Sequence, residues 1–193
     1  MGFTQPLIQI PFRLSLLNMF DRVIESIILL FVAVDPIALI PIFASLTQGL
    51  TKQECKKVYI HASLVAFGIL AVFWLFGGAV LAIMGISMSS FKIIGGLFLI
   101  AIAFQMVLEQ RQERRQNTAD VALDDESLQS LAIFPIATPL IAGPGAMTAA
   151  LLIAEQRSSD PLEMLINFTP IILIIGLAAF AMWLSANLAK RVS

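Results

Sequence analysis

The chain has 193 residues, 59% of them apolar and 13% charged, with a mean hydropathy of +0.91. Soluble domains average about 45–50% apolar and about 25% charged, so this composition excludes an ordinary soluble domain and indicates an integral membrane protein. A net charge of −1 offers nucleic acid no electrostatic footprint, and the single cysteine, Cys55, closes neither an internal disulfide nor a metal site.

The opening stretch "MGFTQPLIQIPFRLSLLNMF" has no basic n-region and no small-residue cleavage site, so residues 1–22 read as an N-terminal segment and not as a signal peptide. A spanning helix needs about 20 mostly apolar residues. Five are expected: 23–46, 59–84, 91–108, one within 127–154 and one within 164–189. Between the third and fourth, residues 109–126 form a polar connector with charges of both signs. Alternation places Arg13, Arg22, Lys92 and Arg157 on one side. Lys52, Lys56, Lys57, Arg111, Arg114, Arg115, Lys190 and Arg191 fall on the other. The richer side is expected to be cytoplasmic, which puts the N-terminus outside.

The first span contains "VDPIALIP", residues 34–41, with Asp35, Pro36 and Pro41. The fourth contains "ATPLIAGPGA", residues 137–146, with Thr138, Pro139, Gly143, Pro144 and Gly145. Read as [Asp/Thr]-Pro-x4-Pro, the pattern occurs twice at an offset of 103 residues (139 − 36). Asp and Thr are good N-caps and Pro suits the first helical position, so each span is expected to restart as a helix inside the membrane. Backbone freed by such breaks cannot face lipid; it must be buried in protein or line a wet cavity.

The fold expected is all-α: an inverted repeat of three-helix units whose first helices are broken. Residues 23–108 form the first repeat, 109–126 a cytoplasmic loop and 127–193 the second. Carrying Gly95-Gly96 forward by the same offset passes Ser193, so the second repeat is expected to hold two spans and to lack its third. Broken helices at matching positions are the pattern of secondary transporters with midplane sites. Asp35 is the one acid deep in a span, and an intramembrane ionisable group is a functional-site hypothesis by default. Asp35, Pro36, Pro41, Thr138, Pro139, Gly143, Pro144, Gly145 and, from the third span, Gln105 form the expected substrate site.

Other polar residues are read as local. Ser45 and Thr47 cap, Asn167 and Thr169-Pro170 open the fifth span, and His61 and Glu25 sit near span ends. Gly68, Gly77, Gly78, Gly95 and Gly96 are expected to pack the halves together.

"VDPIALIPIF", "FKIIGGLFLIAIAFQM" and "PLIAGPGAMT" resemble motifs of the MarC family of bacterial inner-membrane proteins. The resemblance runs from about Ser26 to the C-terminus. It implies a multi-pass inner-membrane protein, usually of six spans, related to exporters of small neutral amino acids. The function expected is therefore export of a small solute, without cofactor, metal or enzymatic chemistry. No Walker, HExxH or GxSxG motif is present. Membrane lipid and a small solute are the expected partners, nucleic acid is not, and a homo-oligomer is an open assembly state. A non-transporting interaction or regulatory protein, using the charged 109–126 loop, is the alternative.

Overall fold

The computed structural model describes residues 9–107, 125–156 and 160–188. Every regular element among them is helical. In chain order these are α1 (Gln9–Val34), α2 (Pro36–Leu46), α3 (Lys52–Ile83), α4 (Met88–Val107), α5 (Asp125–Leu131), an irregular wide-turn segment (Ala132–Ile141), α6 (Pro144–Glu155) and α7 (Pro161–Leu188). Three stretches are long and apolar enough to cross a bilayer: Met19–Leu46, α3 and α7. Leu128–Ile141 with α6 makes a fourth if that bent pair counts as one span. Helix α4 occupies the place expected for the third. Connector residues 109–124, Arg157, Lys190 and Arg191 lie outside the described residues, as does the Arg13 side chain.

Helix ends follow caps more closely than they follow hydropathy. Thr51 Oγ1 accepts the Glu54 N–H at 3.3 Å, and the Glu54 carboxylate accepts the Thr51 N–H at 2.6 Å. This reciprocal box starts α3 at Lys52, a full turn or more before the apolar run. At the head of α7, Asp160 Oδ1 accepts the Leu162 N–H at 3.0 Å, with Pro161 in the first helical position. The fifth span therefore opens at Pro161. Pro170, expected to start it, is buried inside the helix, and Thr169 donates back to the Leu165 carbonyl.

Helix α6 is the hub. It packs against α1, α3, α4 and α7, while α2 packs on α7, and α3 also meets α7 and the wide-turn segment. Four alanines of α6, Ala146, Ala149, Ala150 and Ala154, are buried. Small side chains let neighbouring helices approach closely, which is how helices associate where lipid removes the hydrophobic drive. Two glycines serve the same contact: a Cβ on Gly77 would stand 2.5 Å from Leu151, and one on Gly95 would run into Thr148 Cγ2. Gly68, Gly78 and Gly96 do not: nothing lies within 4 Å of a Cβ at any of them.

Two polar links cross the bundle. Trp74 Nε1 donates to Asn167 Oδ1 at 2.9 Å, and Ser185 Oγ donates to the Ile40 carbonyl at 2.6 Å. Asn167 thus ties α7 to α3 and is more than a boundary residue. Charged residues near helix ends gather in two places: Lys92 pairs with Glu155 at 2.5 Å, and Arg22 lines one cavity with Gln156 and Glu163. Lys56 and Lys57 stand with Leu128 and Gln129 elsewhere.

Overpacking a tight helix contact costs about 1–3 kcal/mol. Ala149→Leu and Gly95→Leu are expected to lower unfolding free energy in detergent by that amount, and Gly96→Leu to leave it unchanged. Equal losses at Gly95 and Gly96 would contradict the packing described.

Candidate functional site

The first break is one residue wide. The Asp35 N–H still donates to the Phe31 carbonyl at 2.9 Å, so α1 closes normally. Asp35 then turns left-handed, at φ 51° and ψ 67°, and its Oδ1 accepts the Ala38 N–H at 3.2 Å. It ends one helix and caps the next. Asp tolerates this region better than most residues, because its short side chain bonds locally. Pro36 follows at the first position of α2, where no N–H is needed, and is buried. Pro41 sits inside α2 on an exposed face and cannot donate to the Ile37 carbonyl. Asp35 itself is half-buried. Non-glycine residues held left-handed gather at functional sites, and the inference runs from such an outlier to a hypothesis of function.

The second break is wider and sharper. Phe134 and Thr138 both leave helical dihedrals (φ −133° in each), as residues before proline tend to do. The chain then bends by 60° between Ile141 and Pro144. Regular helix resumes at Pro144, capped by Gly143, and not at Pro139. Helices α2 and α6, each with proline in its first position, begin 108 residues apart (144 − 36). Thr51 and Asp160, at the heads of α3 and α7, stand 109 residues apart (160 − 51). Thr138 is partly exposed and Pro139 exposed. Gly143 is buried because its backbone lies against the Pro139 carbonyl: a Cβ there would stand 2.5 Å from that oxygen. Gly145 is buried and Pro144 exposed. Gln105 lies in α4, and its side chain is outside the described residues.

At these two points helix N-termini lie within apolar stretches, the first inside the span candidate Met19–Leu46 and the second inside the bent pair Leu128–Glu155. The first turn of a helix has N–H groups without intrahelical partners and carries partial positive charge, which suits a carboxylate. At α2 one of those groups, on Ala38, is taken by Asp35. At α6 the cap is glycine and supplies no side-chain acceptor. The second N-terminus therefore has no side-chain cap, and its first turn, at Gly145 and Ala146, is buried.

One polar cavity escaped the sequence reading. Arg22 and Ser26 of α1, Gln156, and Glu163 and Asn167 of α7 line a space of about 20 Å³, room for about one water. Pro170, also on its wall, cannot donate to the Ile166 carbonyl. The signal was present in the sequence as an arginine near the head of one span and a glutamate and asparagine near the head of another.

A family model described as MarC family integral membrane protein matches residues 20–193. A membrane protein of Archaeoglobus fulgidus named UPF0056 is 34% identical over 71% of this chain, and the match spans 63% of that relative's own length. MJ1677 of Methanocaldococcus jannaschii, another UPF0056 membrane protein, is 31% identical over 84% of this chain and 78% of its own. YhcE of Escherichia coli is 30% identical over 84% and 74%. No solved structure is significantly similar to the chain.

Losing an N-cap costs about 1 kcal/mol, and a left-handed β-carbon without local bonding about 1–2 kcal/mol. Asp35→Ala is therefore expected to destabilise by about 2–3 kcal/mol, and Asp35→Asn, which keeps both features, by less than about 1 kcal/mol. Chemical denaturation in detergent checks the order. An Asp35→Ala protein as stable as Asp35→Asn would contradict the capping role.

Proposed function

The chain belongs to the MarC family of integral membrane proteins, and on that premise we propose that it is a secondary transporter for small neutral amino acids or similar small solutes. The observation that carries the reading is the pair of proline-started helices, α2 and α6, each opening within an apolar stretch. Stable lipid-facing helices gain nothing from such openings, whereas a solute site does.

We read the two halves as an inverted repeat. Support comes from the spacing of the helix starts and from two pairs of helix contacts that correspond when the halves are exchanged. Helix α2 lies on α7 as α6 lies on α3, and α1 lies on α7 as the wide-turn segment lies on α3. An odd number of spans per half, with α4 as the third of the first, inverts the second half. The N-terminus then faces outward and the segment after α4 lies in the cytoplasm.

In this mechanism the substrate carboxylate takes N–H groups at Gly145 and its neighbours when the helices packed over the buried start of α6 part. The substrate ammonium is drawn to Asp35. A carboxylate has two oxygens and several acceptor positions, so capping Ala38 and holding an ammonium are compatible. A proton taken up by Asp35 would release that ammonium and couple flux to a gradient. A hydrogen bond from Gln105 of α4 completes the proposed substrate site. The small cavity at Arg22, Ser26 and Glu163 has room for about one water between α1 and α7.

The test is flux into liposomes holding purified protein, with labelled neutral amino acids and an imposed proton or sodium gradient. Wild type is expected to carry one such substrate. Asp35→Asn, folded and inserted, is expected to lose at least about tenfold of the rate, the size expected when a desolvated charged contact is lost. Full-rate flux by that variant removes Asp35 from the mechanism, and absence of flux for wild type under every gradient overturns the transporter reading.

A further inference from the structure

Helix α3 opens with positive charge at the end of a membrane span. Lys56, Lys57 and His61 rim a groove of about 840 Å³ that Gln129, in the second half of α5, closes from the other side. Val58 and Leu128 line it as well, and both are buried. The volume falls within the range of about 300–1,000 Å³ typical of small-molecule sites. The lining has two parts: cationic and amide groups at the rim, hydrocarbon at the floor.

The groove does not end at its rim. Steps of four residues down α3 from Lys56 reach Ile60, Leu64, Gly68, Val72 and Phe76, and residues four apart share a helix face. This row faces outward: Ile60 is 41% exposed, Leu64 62%, Val72 54% and Phe76 58%. Gly68 interrupts it with a notch, since nothing lies within 4 Å of where its Cβ would be. The glycine thus serves no helix contact, and its place in the middle of an apolar row leaves a channel.

We infer that this groove binds an anionic phospholipid. Its phosphodiester sits between Lys56, Lys57 and His61, and one acyl chain runs down the row past Gly68. Basic pockets at the water-facing ends of membrane helices suit anionic headgroups, each lysine contributing about fivefold in affinity. A free phosphate would use only the rim and leave the hydrocarbon floor and the row without a role. The position also fits: the charges stand at the end of the span Lys52–Ile83, at the level where headgroups lie.

The experiment is native mass spectrometry of the detergent-purified protein against phosphatidylglycerol, phosphatidylcholine and inorganic phosphate, with thermal stability measured alongside. Retention of phosphatidylglycerol at least about tenfold above phosphatidylcholine is expected, falling as salt rises. Lys56→Gln alone should weaken it about fivefold and Lys56→Gln with Lys57→Gln abolish the preference. Lys52→Gln, outside the groove, should not change it. Gly68→Leu, which fills the notch without touching a neighbour, should weaken phosphatidylglycerol while leaving the fold intact. Equal retention of both lipids, an unchanged preference in the double variant, or stabilisation by inorganic phosphate matching that by phosphatidylglycerol would each overturn the inference.

Discussion

A peptide N–H or carbonyl without a partner inside a bilayer costs several kcal/mol, and this chain places seven prolines in its described membrane-facing elements: Pro36, Pro41, Pro135, Pro139, Pro144, Pro161 and Pro170. Each lacks a backbone donor, and one inside a helix strands an acceptor four residues earlier. The architecture is arranged around those losses. Pro36, Pro144 and Pro161 stand at first helical positions, where no donor is needed. Of the others, Pro170 is buried within α7, whereas Pro41 and Pro139 are exposed. Ser185 ties α7 to α2 beside Pro41, donating to the Ile40 carbonyl.

The two halves meet the constraint differently. In the first, a left-handed aspartate absorbs the whole break, and Met19–Leu46 remains one span. In the second, the chain spends about ten residues in irregular wide turns and bends by 60° before α6 starts. The sharper bend brings α6 into the middle of the bundle, where only a nearly smooth helix fits. Its alanines, with Gly77 and Gly95 opposite, follow from that position. Local backbone chemistry thus sets the global packing, and the packing buries the N-terminus on which the proposed transport chemistry depends.

The first break was legible because Asp-Pro carries its own mechanism: a capping side chain followed by a residue that needs no donor. The second misled by five residues. Thr138-Pro139 looks like the better start, since threonine caps with its side chain, yet the helix begins after Gly143, whose value is lack of bulk against the Pro139 carbonyl. Steric need of that kind leaves no trace in a cap preference. The head of α7 was missed for a related reason. Hydropathy marks where lipid begins, whereas Asp160 and Pro161 mark where helix begins. The hub role of α6 was hidden because a helix buried all round has no apolar periodicity to read. Glycine was ambiguous throughout: Gly95 is a contact and Gly68 an open notch, and the letter is the same.

The central claim is that the helix openings at Asp35 and Gly143 are wet although they lie within apolar spans. Spin labels placed one at a time at residues 33–38 and 141–146, in a Cys55→Ser background reconstituted into bilayers, test it through relaxation by a water-soluble nickel chelate against relaxation by oxygen. The expected result is a local maximum of chelate access at positions 35 and 143–145, reduced when the transported solute is added. Labels at all these positions relaxed by oxygen alone, as in hydrocarbon, would contradict it.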